Sequence, residues 1–124
     1  MTKSILVVDD EEDVRALIQL GLEMNGGWNV INATSGAEAI DVAASQQPDV
    51  ILLDLMMPDL DGKATLQKLK SSPKTENIPV IMMTAKSKYS VEESFAGLDV
   101  AAIFTKPLRL LNLSQQIIDA IGEL

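Results

Sequence analysis

The sequence predicts a doubly wound α/β domain, in which one parallel β-sheet carries helices on both faces. Short apolar runs rich in Val, Ile and Leu recur along the chain without alternating with polar residues. Such runs are typical of strands that are buried on both faces of a parallel sheet. Segments with helical spacing separate the runs, and right-handed crossovers then place helices on both sides of the sheet. The 124 residues fit one domain, for which we expect the bounds 1–124.

Strands and helices alternate five times in this interpretation. The predicted strands are Ile5–Val8, Trp28–Ala33, Val50–Leu53, Val80–Met83 and Ala101–Phe104. The predicted helices are Asp13–Met24, the segment from its cap Ser35 to Gln46, Lys63–Ser71, Ser90–Leu98 and Leu108–Ile121. Asn29 and Asn32 interrupt the second strand, which marks it as an edge strand. We expect the flavodoxin-like strand order 2-1-3-4-5, in which the ligand crevice lies at the carboxyl ends of strands 1 and 3.

The helix boundaries follow from capping and stop signals. Asn25-Gly26-Gly27 ends the first helix, because Gly and Asn favour helix C-termini. Ser35 followed by Glu38 forms a capping box at the start of the second helix. The predicted inward-facing residues are Val14, Leu17, Ile18 and Gly21 in the first helix, and Leu110, Leu111, Ile117, Ile118 and Ile121 in the last. The fourth helix has few apolar residues, so we expect its local stability to be low.

The composition excludes several classes of function. The chain has neither Cys nor His, which excludes disulfides, thiol nucleophiles and a phosphoryl-carrying histidine of its own. The net charge of -8 argues against nucleic acid as a direct partner, because phosphate backbones favour Lys and Arg. The N-terminal apolar run, residues 5–8, is too short for a signal peptide or a membrane span. We therefore expect a cytoplasmic domain without a membrane partner.

Acidic residues stand where the first and third predicted strands end. Asp9 and Asp10 follow the first strand, and Asp54 follows the apolar run of the third. Further polar residues expected at this edge are Asp59, Asp61, Thr84 and Lys106. The carboxyl ends of parallel strands share one edge of the sheet, so these acids should lie close together and repel one another. A hard cation such as Mg2+ takes oxygen ligands, relieves that repulsion and suits phosphoryl chemistry.

Four segments, taken together, resemble a known family. They are Leu6-Val7-Val8-Asp9-Asp10-Glu11, Leu53-Asp54-Leu55-Met56-Met57-Pro58-Asp59-Leu60-Asp61-Gly62, Met83-Thr84-Ala85 and Thr105-Lys106-Pro107. In order and spacing they resemble the signatures of the receiver domain of two-component response regulators. The resemblance covers the whole chain, and we expect a stand-alone receiver of the chemotaxis type without an output domain.

The resemblance implies a phosphoacceptor and a metal site. Asp54 would be the phosphoacceptor, which attacks a phosphohistidine on a partner protein. Asp10 and Asp54 would bind Mg2+, Asp9 would act through a water, and the backbone carbonyl of Met56 would be a further ligand. The imidazole that this chain lacks would be supplied by the partner.

The resemblance also implies residues that contact the phosphoryl group and residues that shape the loops around it. Thr84 would hydrogen-bond the phosphoryl group, and Lys106 would pair with it. Residues implied to shape the surrounding loops are Pro58, Gly62 and Pro107, with a cis bond expected between Lys106 and Pro107. The position three before Lys106 is commonly Tyr or Phe in receivers and takes part in the switch with Thr84, whereas here it is Ile103.

The function implied is a phosphorylation-controlled signalling module, and not an enzyme that acts on a separate substrate. The phosphoryl group would come from a sensor histidine kinase or a histidine phosphotransfer protein. Phosphorylation would change the surface formed by the fourth helix, the fifth strand and the fifth helix. That change would alter binding to a downstream protein target, which the sequence does not identify.

Three other classes of protein compete with this interpretation. A pseudo-receiver that binds its partners without phosphorylation is disfavoured by the intact set of acids, Thr84 and Lys106, although Ile103 is compatible with it. A small phosphatase or phosphotransferase with an aspartyl nucleophile is disfavoured, because Asp9-Asp10-Glu11 lacks the Asp-x-Asp spacing and 124 residues leave no room for a cap domain. A flavin-binding module is also disfavoured, because the acids from Asp9 to Asp13 would repel a phosphate.

Overall fold

The computed structural model describes residues 3–57, 61–84 and 99–122, and these residues form an open α/β fold. The strands of its sheet are β1 (Ser4–Val8), β2 (Asn29–Ala33), β3 (Val50–Asp54), β4 (Val80–Thr84) and β5 (Ala102–Thr105). All neighbouring strands are parallel, and their order is β2-β1-β3-β4-β5. The predicted fold class and strand order are confirmed, and β2 is an edge strand as predicted.

The helices pack on both faces of this sheet. Those in the described residues are α1 (Glu12–Gly26), α2 (Gly36–Gln46), α3 (Gly62–Lys70) and α4 (Leu113–Ile121), with a 3-10 turn at Leu110–Asn112 before α4. The helix predicted over Ser90–Leu98 lies outside the described residues, so α4 corresponds to the fifth predicted helix. Among the described residues, no helix has the length and apolar character needed to span a membrane.

Each face of the sheet carries its own apolar cluster. The cluster shared with α2 and α3 includes Leu6, Val8, Leu53, Ala39, Leu66 and Leu69. The cluster shared with α1 and α4 includes Ile5, Val7, Leu52, Ile18, Leu22 and Ile117. Successive strand residues point to opposite faces, so the central strands are buried on both sides. The carboxyl ends of β1 and β3 are therefore supported by tightly packed apolar layers.

The predicted capping signals for α1 and α2 are present in the structure. The Ser35 hydroxyl accepts a hydrogen bond from the Glu38 N–H at 3.1 Å, and the Glu38 carboxylate accepts one from the Thr34 N–H at 2.8 Å. At the other end of α1, Gly27 has a φ of 63° and donates its N–H to the Leu22 carbonyl. This left-handed conformation is the one that glycine adopts without strain.

Several details of the helices differ from the prediction. Leu17 was predicted to face inward but is 53% exposed, because the buried face of α1 is formed by Ile18, Gly21 and Leu22. Leu111 was also predicted to face inward and is 81% exposed. It lies in the 3-10 turn, since α4 begins at Leu113 and not at the predicted Leu108. The buried face of α4 is therefore formed by Leu113, Ser114 and Ile117, which follow the turn.

Candidate functional site

Three carboxylates converge at the carboxyl ends of β1 and β3. Val8 pairs with Leu53 in the parallel ladder, which brings Asp9 close to Asp54 across the neighbouring strand ends. One carboxylate oxygen from each of Asp9, Asp10 and Asp54 lies within 4.8 Å of the others. Asp9 and Asp54 are buried, whereas Asp10 is exposed. Two acids are thus fixed in the protein interior, and the third faces solvent at the rim.

Lys106, which directly follows β5, places a positive charge beside these acids. Its Nζ lies 3.0 Å from Asp9 Oδ2 and 3.4 Å from Asp54 Oδ2. The Lys106 N–H donates to the Thr84 carbonyl at 2.7 Å, which anchors the residue beside the end of β4. The Lys106–Pro107 peptide bond is cis, as expected from the sequence. The ammonium group therefore bridges the two buried carboxylates.

Backbone contacts fix Asp54 and the turn that follows it. The Met56 N–H donates to Asp54 Oδ1 at 3.2 Å, and the Leu55 N–H donates to the Met83 carbonyl at 2.9 Å. Gly62 donates its N–H to the Leu55 carbonyl at 2.9 Å, and its Cα lies close against Asp54. A Cβ added at Gly62 would meet the Asp54 carbonyl oxygen at 2.5 Å. Only glycine permits this approach of α3 to the strand end without displacing backbone atoms.

Arg15 is a contributor to the site that the sequence interpretation missed. Its guanidinium Nη1 donates to the Asp9 carbonyl at 2.7 Å, while Asp9 Oδ1 accepts from the Glu11 N–H at 2.9 Å. These bonds hold the peptide between Asp9 and Asp10 in place. The signal in the sequence for Arg15 is its position next to Val14 in the first turn of the predicted helix, shortly after the acids. Spacing alone did not reveal that its long side chain turns back to the strand end.

The electrostatics of Asp54 and Lys106 reflect burial and mutual contact. The pKa of Asp54 is raised, mainly because burial disfavours the carboxylate and secondly because the Asp9 charge repels it. Lys106 and the Met56 N–H act in the opposite direction but do not cancel these effects. Burial also disfavours the Lys106 ammonium, but its hydrogen bond to Asp9 and its attraction to both acids outweigh burial and raise its pKa. Lys106 is therefore held in its charged form beside the carboxylates.

The structure assembles most of the predicted site. Asp9, Asp10, Asp54 and Lys106 form one cluster, and Thr84 is buried at the adjacent end of β4. Asp61 does not join the acids, because its carboxylate caps α3 by accepting the Ala64 N–H at 2.8 Å. Asp59 and Pro58 lie outside the described residues.

Ile103 and Phe104 face opposite sides of the sheet, as neighbouring residues in a strand do. Ile103 packs against the cluster that contains Leu53 and Met82, whereas Phe104 packs against the cluster on the opposite face. The aromatic ring of Phe104 therefore does not replace a ring at position 103. The Met56 N–H is hydrogen-bonded to Asp54, and the residue is 60% exposed.

Residues 5–118 match the protein family described as "Response regulator receiver domain". A curated relative, "Response regulator MprA" from Mycobacterium bovis (strain BCG / Pasteur 1173P2), is 41% identical over 115 residues, which are 91% of this chain and 48% of the relative. The "Probable transcriptional regulatory protein TcrX" from Mycobacterium tuberculosis (strain ATCC 25618 / H37Rv) is 38% identical over 109 residues, which are 86% of this chain and 44% of that protein. The chain thus spans about half the length of the curated relatives that it matches.

Solved structures show the same architecture. The N-terminal domain of a response regulator receiver protein from Methanoculleus marisnigri JR1 has a TM-score of 0.77 and 34% identity, with 98% of each chain covered. The chemotaxis protein CheY4 from Vibrio cholerae has a TM-score of 0.89 and 21% identity, with 98% of this chain and all of that chain covered, and it therefore supports the fold alone. The family match and the identity to the curated relatives establish that this chain belongs to the response regulator receiver domain family.

Proposed function

We propose that this protein is a phosphorylation-controlled signalling module whose phosphoacceptor is Asp54. Response regulators are phosphorylated by histidine kinases, and receiver domains act as signalling modules and not as classical enzymes. The observation that carries the residue assignment is the placement of Asp54. It stands at the end of a buried strand, is bridged to Asp9 by Lys106, and lies within reach of the exposed Asp10. Asp9 shares the burial, the Lys106 contact and the proximity to Asp10. The choice of Asp54 over Asp9 therefore rests on the resemblance of the segment around Asp54 to the receiver signature.

The proposed reaction is transfer of a phosphoryl group from a phosphohistidine to the Asp54 carboxylate. A bond forms between phosphorus and an Asp54 oxygen while the bond between phosphorus and the partner's imidazole nitrogen breaks. Such transfers pass through a loose transition state, so positioning and charge neutralisation provide most of the catalysis. Lys106 supplies a fixed positive charge 3.4 Å from Asp54, and the backbone contacts of Leu55 and Met56 fix the nucleophile.

The acid cluster fits a divalent cation, which we propose to be Mg2+. The proposed ligands are Asp9, Asp10, Asp54 and the backbone carbonyl of Met56. The fit is supported by three carboxylate oxygens within 4.8 Å of one another and by the hardness of those ligands. Bound Mg2+ would neutralise charge on the transferring phosphoryl group. Asp9 is buried and shared with Lys106, so the exposed Asp10 is the ligand most easily substituted without disturbing the core.

Thr84 and Lys106 are proposed to contact the phosphoryl group after transfer. Thr84 is buried at the end of β4, directly beside β3 in the sheet, where Asp54 pairs with Met83. Its hydroxyl group therefore belongs to the same strand edge as the phosphoacceptor. We further propose that Gly62 keeps α3 close to Asp54, and that Pro58 and Pro107 shape the neighbouring loops.

Phosphorylation is proposed to change the surface formed by β5, α4 and the helix predicted over Ser90–Leu98, to which the downstream partner binds. The helix lies outside the described residues, so the support comes from β5. Ile103 packs on the apolar cluster behind the strand ends and can respond to movement of Thr84, although it has no ring to expose. The proposed partners are a sensor histidine kinase or a histidine phosphotransfer protein, and a downstream protein target recognised at this surface.

Phosphorylation at Asp54 can be tested with a small-molecule donor. We expect incubation with Mg2+ and acetyl phosphate to add one phosphoryl mass, which intact-protein mass spectrometry detects. Asp54→Asn should remove the adduct, since the nucleophilic carboxylate is gone. Asp49→Asn is the matched control, because Asp49 precedes β3 and contacts Ser4 at the opposite end of the sheet. Labelling that persists in Asp54→Asn would refute the assignment, and absence of labelling in the parent protein would favour a pseudo-receiver.

Binding of Mg2+ should stabilise the folded protein, because a ligand that binds only the native state shifts unfolding by mass action. We expect the thermal midpoint to rise by about 4 °C or more at saturating Mg2+. The rise should be much smaller in Asp10→Ala, which removes the exposed carboxylate. Thermal melts with added Mg2+ or EDTA measure both effects, and Asp41→Ala on the exposed face of α2 is the control. An equal rise in Asp10→Ala would exclude the metal site.

Without a cation, the charge on Asp54 should destabilise the native state. Its raised pKa means that the folded protein binds this proton more tightly than the unfolded chain does. The stabilisation from this group is therefore present at low pH and lost as pH rises through the raised pKa. In EDTA at neutral pH, Asp54→Asn should increase the free energy of unfolding by about 1 kcal/mol, because it removes a buried charge and its repulsion by Asp9.

Denaturant melts across a pH series test this sign. The difference between Asp54→Asn and the parent protein should shrink toward about pH 4, where an ordinary Asp carboxyl is half protonated. Asp41→Asn should show no comparable gain. A loss of stability in Asp54→Asn at neutral pH would contradict the proposed destabilisation by the buried Asp54 charge.

The lifetime of the phosphoryl group should depend on Met56. A hydrolytic water must approach phosphorus past this side chain, and a thioether is only a weak hydrogen-bond acceptor. Met56→Asn introduces an amide that can orient the water, so we expect dephosphorylation to accelerate roughly fivefold, equivalent to one hydrogen bond of about 1 kcal/mol. The decay of phosphoprotein after removal of donor measures this rate, with Met24→Asn as the control. An unchanged or slower decay would argue against this path for water.

A further inference from the structure

An exposed methionine lies two residues after the proposed phosphoacceptor, with its backbone bonded to it. Met56 follows β3, and its N–H donates to Asp54 Oδ1 at 3.2 Å, so its side chain begins next to the carboxylate. The residue is nevertheless 60% exposed. In the part of the chain that the structure describes, the other groups at this strand edge are carboxylates, the Lys106 ammonium group and the Thr84 hydroxyl, which resist oxidation by peroxides. The Met56 sulfur is the part of the site that a solvent-borne oxidant can modify.

Exposure separates Met56 from the other methionines near the site. Met57 is 8% exposed, and Met82 and Met83 are fully buried within the two apolar clusters. Met24 is 74% exposed, but it lies near the C-terminal end of α1, whose N-terminal end is the one that adjoins the acids. A helix of 15 residues is about 22 Å long, which places Met24 far from Asp54. The chain therefore contains its own control for oxidation away from the site.

We propose that Met56 is an oxidation site, and that its conversion to methionine sulfoxide shortens the lifetime of the phosphoryl group on Asp54. This inference rests on the proposed function of Asp54. The reactant would be a hydroperoxide, of which hydrogen peroxide is the simplest.

The oxidation step is a transfer of one oxygen atom. A sulfur lone pair of Met56 attacks one oxygen of hydrogen peroxide, a sulfur–oxygen bond forms and the oxygen–oxygen bond breaks. The departing hydroxide takes up the proton of the transferred oxygen and leaves as water. Sulfur loses two electrons, and the peroxide gains them. The product is a polar side chain of nearly unchanged size and length.

The sulfoxide changes the chemistry available to water at Asp54. Its oxygen is a strong hydrogen-bond acceptor, whereas the thioether is a weak one. A water held by that oxygen beside the phosphoryl group can attack phosphorus. A phosphorus–oxygen bond to water then forms, the bond to Asp54 breaks, and inorganic phosphate leaves with the carboxylate restored. The reduced and oxidised proteins would thus differ in how long the phosphorylated form survives.

The first part of the test maps oxidation without reference to phosphorylation. The protein is treated with limiting hydrogen peroxide, digested and analysed by mass spectrometry at a series of times. Met56 and Met24 should be oxidised well before Met57, Met82 and Met83. If Met56 reacts no faster than these buried residues, the proposal is wrong.

The second part measures dephosphorylation of reduced and oxidised protein after labelling with acetyl phosphate and Mg2+. We expect oxidised protein to lose its phosphoryl group roughly fivefold faster, the effect of one hydrogen bond to the attacking water. The ratio of oxidised to reduced rates is compared within each protein, so a change in the basal rate of a variant cancels. The ratio should fall to one in Met56→Leu and persist in Met24→Leu. Methionine sulfoxide reductases with dithiothreitol should restore the slow rate.

The outcomes separate this inference from the proposed function. A ratio that is one or less in the parent protein overturns the oxidation proposal while leaving Asp54 as phosphoacceptor. A ratio that persists in Met56→Leu, or disappears in Met24→Leu, assigns the effect elsewhere and also overturns it. If reduced protein takes up no phosphoryl group at Asp54, the proposed function fails and this inference fails with it.

Discussion

Lys106 lies between the carboxylates of Asp9 and Asp54, and this contact allows two buried acids to stand side by side. Its Nζ is 3.0 Å from one and 3.4 Å from the other. Removing water from a charged group is costly unless the charge is paired, so neither acid would be stable there as an isolated ion. One ammonium group does not balance both acids, and burial together with the Asp9 charge keeps the pKa of Asp54 above its usual value. The excess negative charge is consistent with the cation that we propose for this site.

The sheet makes this arrangement possible because its apolar strand residues and its charged site residues lie in different places. Alternate residues of β1 and β3 enter opposite apolar clusters, so each strand is held from both faces up to its last residue. The polar groups begin where the strands end, and the strand register brings Asp9 and Asp54 together. Gly62 then allows α3 to approach within contact of the Asp54 backbone. The apolar clusters thus lie behind the site, and the charged groups lie at the ends of the strands.

The periodicity of the sequence predicted the sheet and its order, because fully buried strands leave a clear pattern of apolar runs. It also brought together Asp9, Asp10, Asp54 and Lys106, since parallel strands present their ends at one edge. It failed where tertiary contacts decide the outcome. Leu111 was assigned to an inward face because the 3-10 turn before α4 has no distinct pattern, and the bond from Arg15 to the Asp9 carbonyl depends on how a long side chain folds back.

The same backbone contact that positions Lys106 also couples β4 to β5. The Lys106 N–H donates to the Thr84 carbonyl at 2.7 Å, and Thr84 pairs with Thr105 in the sheet. A phosphoryl group on Asp54 that drew both Thr84 and Lys106 toward it would therefore act on two residues that are already bonded to each other. Their movement would be transmitted to Ile103, which packs on the cluster directly behind β3 and β4. An aliphatic residue at that position can adjust its packing without a large rotation, so the change would reach β5 as a shift of the strand and not as the flip of a ring.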